Sequence, residues 1–109
     1  MKYKLNVMDR LMLNQVLPEK GSFASLRSIK EARKNVLLND KEVEEFEFKF
    51  ENDAFKWNEK GNEKRPIEIG EIAAEEVKKI LKSMDEKKEL SLNHEGIYEI
   101  FVEGKKEDK

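Results

Sequence analysis

Apolar residues recur at three- and four-residue spacing in the first third of the chain, which predicts two helices. The first helix is expected to end before Pro18 and to carry Leu5, Met8, Leu11, Met12, Val16 and Leu17. Ser22 is expected to cap the second helix, whose apolar positions are Phe23, Leu26, Ile29, Ala32, Val36 and Leu37. The short loop between the two predicts a helical hairpin.

The period changes to two in the middle of the chain, which is typical of strands with one buried face. Residues 46–51 and 54–58 follow this pattern, and their aromatic members are Phe46, Phe48, Phe50, Phe55 and Trp57. Just before them, Asn39 and Glu42 are spaced like a variant of the capping box, and Asp40 is an alternative cap; either indicates one helical turn over 40–45. The sequence therefore predicts a helical turn followed by a β-hairpin, 46–51/54–58.

Asn52 and Asp53 separate the two strands and form the predicted turn. Both residue types tolerate the positive φ that a two-residue hairpin turn requires. This register places the aromatic residues of the strands opposite one another on one face, Phe50 with Phe55 and Phe48 with Trp57. A longer loop that starts one residue earlier is the alternative.

The second half of the chain predicts further elements. A polar loop over 58–65 leads to a third short strand over 66–69, which Pro66 places at an edge. A helix is expected after Gly70, with apolar positions Ile72, Ala73, Val77, Ile80, Leu81 and Met84. Ser91 is expected to cap a last helix, which carries His94, Ile97, Tyr98, Ile100 and Phe101.

These elements predict an α+β fold, with about four helices packed on a small antiparallel sheet. A chain of 109 residues, 38% hydrophobic and 42% charged, is expected to form one domain over 1–103, followed by a charged flexible tail over 104–109. No run approaches the roughly 18 apolar residues of a membrane span, and no signal-peptide pattern is present. Because the chain also has no cysteine, we expect a cytoplasmic protein.

Candidate catalytic residues are few, and each has a simpler interpretation. His94 is the only histidine and no catalytic serine motif accompanies it, so a capping or surface role is expected. Acidic pairs such as Glu44 with Glu45 are expected by chance in a chain with 24 acidic residues. Neither zinc spacing nor a calcium-loop pattern is found. We therefore expect a protein that is not an enzyme and that has no metal or cofactor.

A phosphate site is one alternative function. Lys20 and Ser22 lie at the start of the second predicted helix, and Arg27 and Lys30 follow within about two turns. Helix N-termini present free amides that suit anions, so a nucleotide signal or another phosphate ligand could bind there. A Gly-Ser helix entry is common without any ligand, and no Gly-rich phosphate loop is present.

Charge is divided unevenly along the chain. Residues 1–34 hold eight Lys or Arg and three Asp or Glu, whereas the remainder holds 14 and 21, for a net charge of −2. We expect the two halves to pack together and neutralise each other. The alternative is a nucleic-acid-binding regulator, in which the helix from Arg27 to Lys34 follows phosphates and Lys2, Lys4 and Arg10 extend the footprint. The negative net charge argues against it.

Protein binding is the favoured function class, and the hairpin is its candidate surface. Phe-rich strands with free backbone groups could pair with a second copy of the chain or with a host protein. The interaction surface would consist of Phe48, Phe50, Phe55 and Trp57. For most of these side chains, however, we expect burial beneath the helices as ordinary core.

The chain resembles a family of short uncharacterised proteins encoded by bacteriophages and prophages, chiefly of Gram-positive bacteria. The residues that carry the resemblance are 5–17, the Leu-Pro-Glu-Lys-Gly-Ser-Phe segment at 17–23, Trp57-Asn58-Glu59, the run 67–71 and the closing segment 97–103. The resemblance implies no active residues. It implies a non-enzymatic protein that binds and inhibits or modulates a host protein, including one of a defence system.

Overall fold

The computed structural model describes residues 1–104, so the predicted tail lies outside the described residues except for Gly104. In this part of the chain the strands and helices are, in order, β1 (Lys2–Leu5), α1 (Val7–Val16), α2 (Phe23–Val36), α3 (Asp40–Glu45), β2 (Lys49–Glu51), β3 (Ala54–Lys56), β4 (Arg65–Glu68), α4 (Glu71–Glu86) and α5 (Glu95–Phe101). Short 3-10 turns cover Glu59–Asn62 and Leu92–His94. The predicted α+β class is confirmed.

The first element is a strand, β1, where the sequence pattern predicted the beginning of the first helix. Strand β1 pairs antiparallel with β4, and its alternating exposure turns Tyr3 and Leu5 towards the core. Helix α1 starts only after Asn6, whose side chain accepts the backbone N–H of Asp9 at 2.8 Å. The Asp9 carboxylate accepts the Asn6 N–H in return, at 3.2 Å, which completes a capping box. The predicted extension of the first helix to Leu5 is therefore wrong.

The described strands form two separate two-stranded sheets, β1 with β4 and β2 with β3. The predicted third strand exists, but it pairs with the N-terminal strand and not with the hairpin. Pro66 lies opposite Lys4 in this pair, which is compatible with proline because a two-stranded sheet has only edge strands. The predicted single sheet is thus replaced by two.

The predicted two-residue turn is present, between strands that are shorter than expected. Asn52 and Asp53 have φ angles of 54° and 62°, as a type I′ turn requires. Strand β2 begins only at Lys49, because Glu47 has a φ of 52° and breaks the extended backbone. Phe46 therefore ends α3 instead of starting the strand, and it is almost fully buried.

The hydrophobic core lies between the β1–β4 sheet and helices α1, α2, α4 and α5. Its central members are the fully buried side chains Leu5, Leu13, Val36, Ile69, Val77, Leu81 and Ile97. Tyr3 and Phe101 stack at its margin, with ring centroids 4.6 Å apart. No residue of the β2–β3 hairpin is part of this core among the residues that the structure describes. The hairpin therefore stands outside the main packed body.

A buried arginine joins α1, the end of α2 and α3. The Arg10 side chain is only 4% exposed, and it donates to the Val36 carbonyl at 2.8 Å and the Leu37 carbonyl at 3.0 Å. It also donates two hydrogen bonds to the carboxylate of Glu42, both at 3.0 Å. These bonds hold the pKa of Glu42 below its usual value of 4.5. Since Arg10 and Glu42 belong to oppositely charged parts of the sequence, the pair agrees with the expected mutual neutralisation.

Candidate functional site

Four side chains on one side of the hairpin form a continuous aromatic surface, which we call the aromatic face: Phe48, Phe50, Phe55 and Trp57. Phe50 and Phe55 are directly opposite in the ladder, and their ring centroids are 4.9 Å apart. Phe48 stacks on Phe55 at 5.3 Å and on Trp57 at 6.3 Å. The predicted register is therefore confirmed where the ladder exists, and ring contacts extend it by one residue on each strand.

The tip of the aromatic face is open to solvent. Phe50 is 62% exposed and Phe55 is 48% exposed, whereas Phe48 and Trp57 are half-buried. The expectation that most of these side chains are core beneath the helices is wrong for Phe50 and Phe55. The physical reason is that the helices pack on the β1–β4 sheet, so nothing in the described fold covers the end of the hairpin.

The opposite side of the hairpin carries charge. Lys49 and Lys56 are directly opposite one another in the ladder. Glu51 lies near both, with its carboxylate 3.8 Å from the ammonium of Lys49 and 3.6 Å from that of Lys56. Because like charges directly opposite are unfavourable, Glu51 moderates a repulsion that the strand pair itself creates. The hairpin is thus amphipathic, with one aromatic and one charged side.

The root of the hairpin is fixed by long-range contacts that the sequence pattern does not predict. Arg65 of β4 forms two hydrogen bonds to the Glu45 carboxylate, at 3.0 and 2.7 Å, and lies 4.6 Å from the centroid of the Phe46 ring. These bonds lower the pKa of Glu45 and raise that of Arg65. Asn58 donates its backbone N–H to the Phe46 carbonyl and its amide to the Glu45 carbonyl. Residue spacing within one segment cannot predict these contacts, because they join segments that are far apart in the chain.

Trp57 connects the aromatic face to the body of the protein. Its indole N–H donates to the side-chain oxygen of Asn62 at 3.1 Å. A Cβ placed on Gly61 would lie 2.5 Å from the indole Cδ1 and 3.0 Å from a methyl group of Val7, so only glycine permits this close approach. The aromatic face is therefore held at its base and free at its tip.

The residues of the predicted phosphate site lie in the loop before α2 and within its first eight residues, and all four are exposed: Lys20, Ser22, Arg27 and Lys30. The Ser22 hydroxyl accepts the backbone N–H of Ser25 at 3.1 Å, so it caps the helix. The Arg27 guanidinium lies 5.6 Å from the centroid of the exposed Phe23 ring. No contact draws the four residues into a cradle, and phosphate binding stays a prediction.

The predicted nucleic-acid footprint loses two of its basic residues. Arg10 is buried and committed to Glu42 and to the end of α2, so it cannot reach a phosphate backbone. Arg33 donates to the backbone and side-chain oxygens of Asn14 and to the Leu17 carbonyl, at 2.8 to 3.1 Å. Arg33 thereby binds the free carbonyl groups at the C-terminus of α1, and its charge is not directed to solvent. Arg27 and the lysines of the footprint remain, so the basic surface has two fewer charges than the sequence suggested.

His94 lies beside Ser91 in an open depression of about 330 Å³ whose rim includes Tyr98 and Glu95. The Ser91 hydroxyl is 3.1 Å from His94 Nδ1, a distance that could suggest a nucleophile and its base. However, Nδ1 already accepts the backbone N–H of Ser91 at 3.0 Å. Its lone pair is therefore used in capping the 3-10 turn, and the predicted capping role of His94 agrees with this contact. The prediction that Ser91 caps a helix containing His94 is wrong, because His94 ends the 3-10 turn and α5 begins only at Glu95.

Residues 1–104 provide no support for a metal site or a membrane span. This part of the chain contains no group of three or more His, Asp or Glu side chains placed to hold a metal ion. None of its helices combines the length and the apolar character needed to cross a lipid bilayer. The aromatic face is consequently the most distinctive surface feature of the described structure.

No protein-family model, curated protein or solved structure is significantly similar to this chain. The resemblance to phage proteins therefore stays a prediction, and the functional argument depends on the geometry of the hairpin.

Proposed function

We propose that this protein acts by binding another protein through the aromatic face. The observation that carries the proposal is the exposure of Phe50 and Phe55 at the tip of a hairpin that the core does not need. Large aromatic side chains contribute most of the binding energy in many protein interfaces. Left in water, two adjacent phenyl rings are unfavourable, so an apolar pocket on a partner would stabilise them.

Contacts within the hairpin and at its root define its shape. Its turn has the φ angles that match the twist of a two-stranded ribbon, and its rings contact one another from base to tip. The paired Arg65 and Glu45 and the close packing of Trp57 on Gly61 fix its root. A surface that is ordered before binding loses little conformational entropy when it binds, which favours affinity.

The charges around the hairpin indicate the chemistry of the partner. Asp40, Glu44, Glu47 and Asp53 are exposed on α3 and on the hairpin, close in sequence to the aromatic face. Lys49 and Lys56 lie on the other side and are moderated by Glu51. The proposed partner therefore has an apolar pocket for two phenyl rings and a basic rim, because opposite charges at a rim favour association.

We further propose that the partner is a host protein and that binding inhibits or modulates it in the cytoplasm. This part of the proposal is supported by the resemblance to phage proteins. A small domain that works by contact needs only one well-formed surface, and the aromatic face supplies it.

The test is affinity capture from a Gram-positive bacterial lysate with three immobilised proteins: wild type, the double variant Phe50→Ala/Phe55→Ala, and Phe23→Ala. Phe23 is 75% exposed on α2, so its replacement is a matched control for the loss of an exposed phenyl ring. We expect a protein that wild type and the control retain and the double variant loses. With the purified partner, the double variant should bind at least about a hundredfold more weakly.

The outcomes separate the parts of the proposal. Capture of the same proteins by wild type and by the double variant would contradict the aromatic face as the site. Absence of any specific protein, with the bait still folded by circular dichroism, would contradict protein binding altogether. An assay of the captured partner's own activity, with and without the wild-type protein, tests inhibition. An unchanged activity would refute it and leave binding intact.

A further inference from the structure

The outer edge of β2 has free backbone groups in a short stretch. In a hairpin with a two-residue turn, the residues that flank the turn, Glu51 and Ala54, form a hydrogen-bonded pair. Pairs alternate along an antiparallel ladder, so Phe50 forms a non-hydrogen-bonded pair with Phe55. The N–H and C=O of Phe50 consequently point away from β3, towards the open edge. This is where another strand can add.

Further from the turn, at Phe48, the backbone N–H on the same edge of β2 is already hydrogen-bonded. The N–H of Phe48 donates to the Val43 carbonyl of α3 at 2.9 Å. An added strand therefore cannot continue past this point with full pairing. The open stretch is short and centred on Phe50, which limits both the length of an added strand and the register it can take.

The charges of Lys49 and Glu51 determine which strand sequence can pair favourably with β2. Consider a second copy of β2 that approaches antiparallel, with both aromatic faces on the same side. The twofold axis must then lie midway between two copies of the same residue, which are directly opposite one another. An axis at Lys49 or at Glu51 places identical charges opposite one another. An axis at Phe50 places Lys49 of each copy opposite Glu51 of the other, with the two Phe50 residues paired between them. Strand β2 is thus complementary in charge to its own antiparallel copy.

Strand β3 lacks this property. An axis at Phe55 places Ala54 opposite Lys56, with no charge pairing, and an axis at Lys56 pairs two ammonium groups. Within the hairpin, Lys49 already has Lys56 opposite it on the inner side. Glu51 of a second copy would face Lys49 from the outer side and offset this repulsion. The outer edge of β2 is therefore the favoured edge.

We propose that two copies of this protein associate through antiparallel pairing of β2 with β2, centred on Phe50. The product is a four-stranded sheet in the order β3, β2, β2, β3, with both aromatic faces on the same side and one continuous aromatic surface. The contact is smaller than the roughly 800 Å² per partner of standard interfaces. The dimer is therefore expected to dissociate readily on dilution. The inference concerns the strand edge and does not depend on the proposed host partner.

Cysteine cross-linking tests the pairing directly, because the chain has no cysteine of its own. In the proposed dimer the two Phe50 Cα atoms are about 5.5 Å apart, so cysteines there are within reach of a short bis-thiol cross-linker, which also bridges pairs whose Cβ atoms are too far apart for an unstrained disulfide. The two Phe55 Cα atoms lie three strand spacings apart, at about 14 Å. With mild oxidation or with this cross-linker Phe50→Cys should form a covalent dimer, and the matched control Phe55→Cys should remain monomeric. Equal cross-linking of the two variants, or none with Phe50→Cys, would overturn the proposal.

Charge reversal tests the register without altering the aromatic face. Lys49→Glu and Glu51→Lys should each weaken self-association in analytical ultracentrifugation by about tenfold, because each creates like-charge pairs across the contact. The double variant Lys49→Glu/Glu51→Lys should restore it, and an equimolar mixture of the two single variants should form mixed dimers. Lys20→Glu, which makes the same change of charge at an exposed position in the loop before α2, should not weaken association. Identical association constants for all these variants would refute the register.

The two proposals fail in different ways. Loss of self-association in Lys49→Glu with host-protein capture retained would leave the aromatic face as the binding site. Loss of capture in Phe50→Ala/Phe55→Ala with cross-linking of Phe50→Cys retained would leave the dimer in place.

Discussion

Replacing Arg10 with methionine removes the connection between α1, the end of α2 and α3 while keeping an unbranched apolar side chain. Two kinds of bond are lost: those to the Val36 and Leu37 carbonyls, and the paired bonds to the Glu42 carboxylate. Breaking one partner of a buried ion pair costs about 3–5 kcal/mol. Because Glu42 is 16% exposed and can regain some water, we expect a loss of about 3 kcal/mol at pH 7. That is a large part of the roughly 5–15 kcal/mol stability of a small domain.

The loss in Arg10→Met should depend on pH in a defined direction. Arg10 lowers the pKa of Glu42 in the folded state, so the pair stabilises the fold fully above pH 4.5, the usual pKa of glutamate. As the pH falls through the lowered pKa, the carboxylate is protonated and this contribution disappears. The difference between wild type and Arg10→Met should therefore shrink below pH 4.5. It should not vanish, because the bonds from Arg10 to the two carbonyls do not titrate.

Urea unfolding followed by circular dichroism at 222 nm, at several pH values between 3 and 7, measures this difference. Arg27→Met is the matched control, since Arg27 is exposed on α2, and its effect should stay within about 0.5 kcal/mol at every pH. A destabilisation of less than about 1 kcal/mol in Arg10→Met at pH 7 would refute the assigned strength of the buried pair. A difference that is the same at pH 3 and pH 7 would refute the role given to Glu42.

Three further predictions concern backbone positions. Gly96→Ala should destabilise the protein by about 1–2 kcal/mol in thermal unfolding, although alanine favours helices, because an added Cβ would overlap the buried Asp9 carboxylate. Gly61→Ala should displace the indole of the single tryptophan, shift its fluorescence to longer wavelength and cost about 1–3 kcal/mol. Asp53→Gly should slow hydrogen exchange of the Ala54 amide by about two- to fivefold, because glycine adopts the φ of 62° without strain.

Each of these has a contradicting result. Gly96→Ala as stable as wild type would mean that the Asp9 carboxylate moves aside freely. An unchanged emission spectrum in Gly61→Ala would show that the indole does not depend on the glycine. Faster amide exchange in Asp53→Gly would mean that the aspartate side chain stabilises the turn more than its backbone strain opposes it.

Elements with a strong local signal could be predicted from the sequence. Helix α4 follows Gly70 as expected, since its apolar positions keep one face over 16 residues. The turn at Asn52 and Asp53 was predictable because few residue types tolerate positive φ. The short helix α3 was predictable from the spacing of Asn39 and Glu42, whose side chains complete the capping box.

Elements that depend on distant partners were predicted less well. Strand β1 was read as helix because Leu5 and Met8 have helical spacing, and the strand exists only because β4 pairs with it. Asn6 and Asp9, which cap α1, have the spacing of a capping box and are the signal in the sequence for this boundary. Phe46 was assigned to the strand by alternation, whereas Arg65 and Glu45 hold it at the end of α3.

The candidate site was predictable in composition but not in exposure. Alternation and turn chemistry were enough to place Phe50 opposite Phe55. Whether helices cover these rings depends on which sheet the helices pack against, and hydrophobic periodicity contains no information about that choice. Similarly, the sequence assigned Arg10 to a basic surface because charge alone cannot distinguish an arginine that binds solvent from one that binds buried carbonyls.

The hydrogen bond from Phe48 to Val43 has a consequence for solubility. Residues 45–51 alternate phenylalanine with charged residues, a pattern that in an unfolded chain favours stacked β-sheets and fibrils. In the folded protein, α3 occupies the backbone N–H of Phe48, and the positive φ of Glu47 turns the preceding chain away. Only a three-residue strand is left for pairing, too short to template a fibril. Variants that loosen α3 should therefore aggregate before they lose their helices.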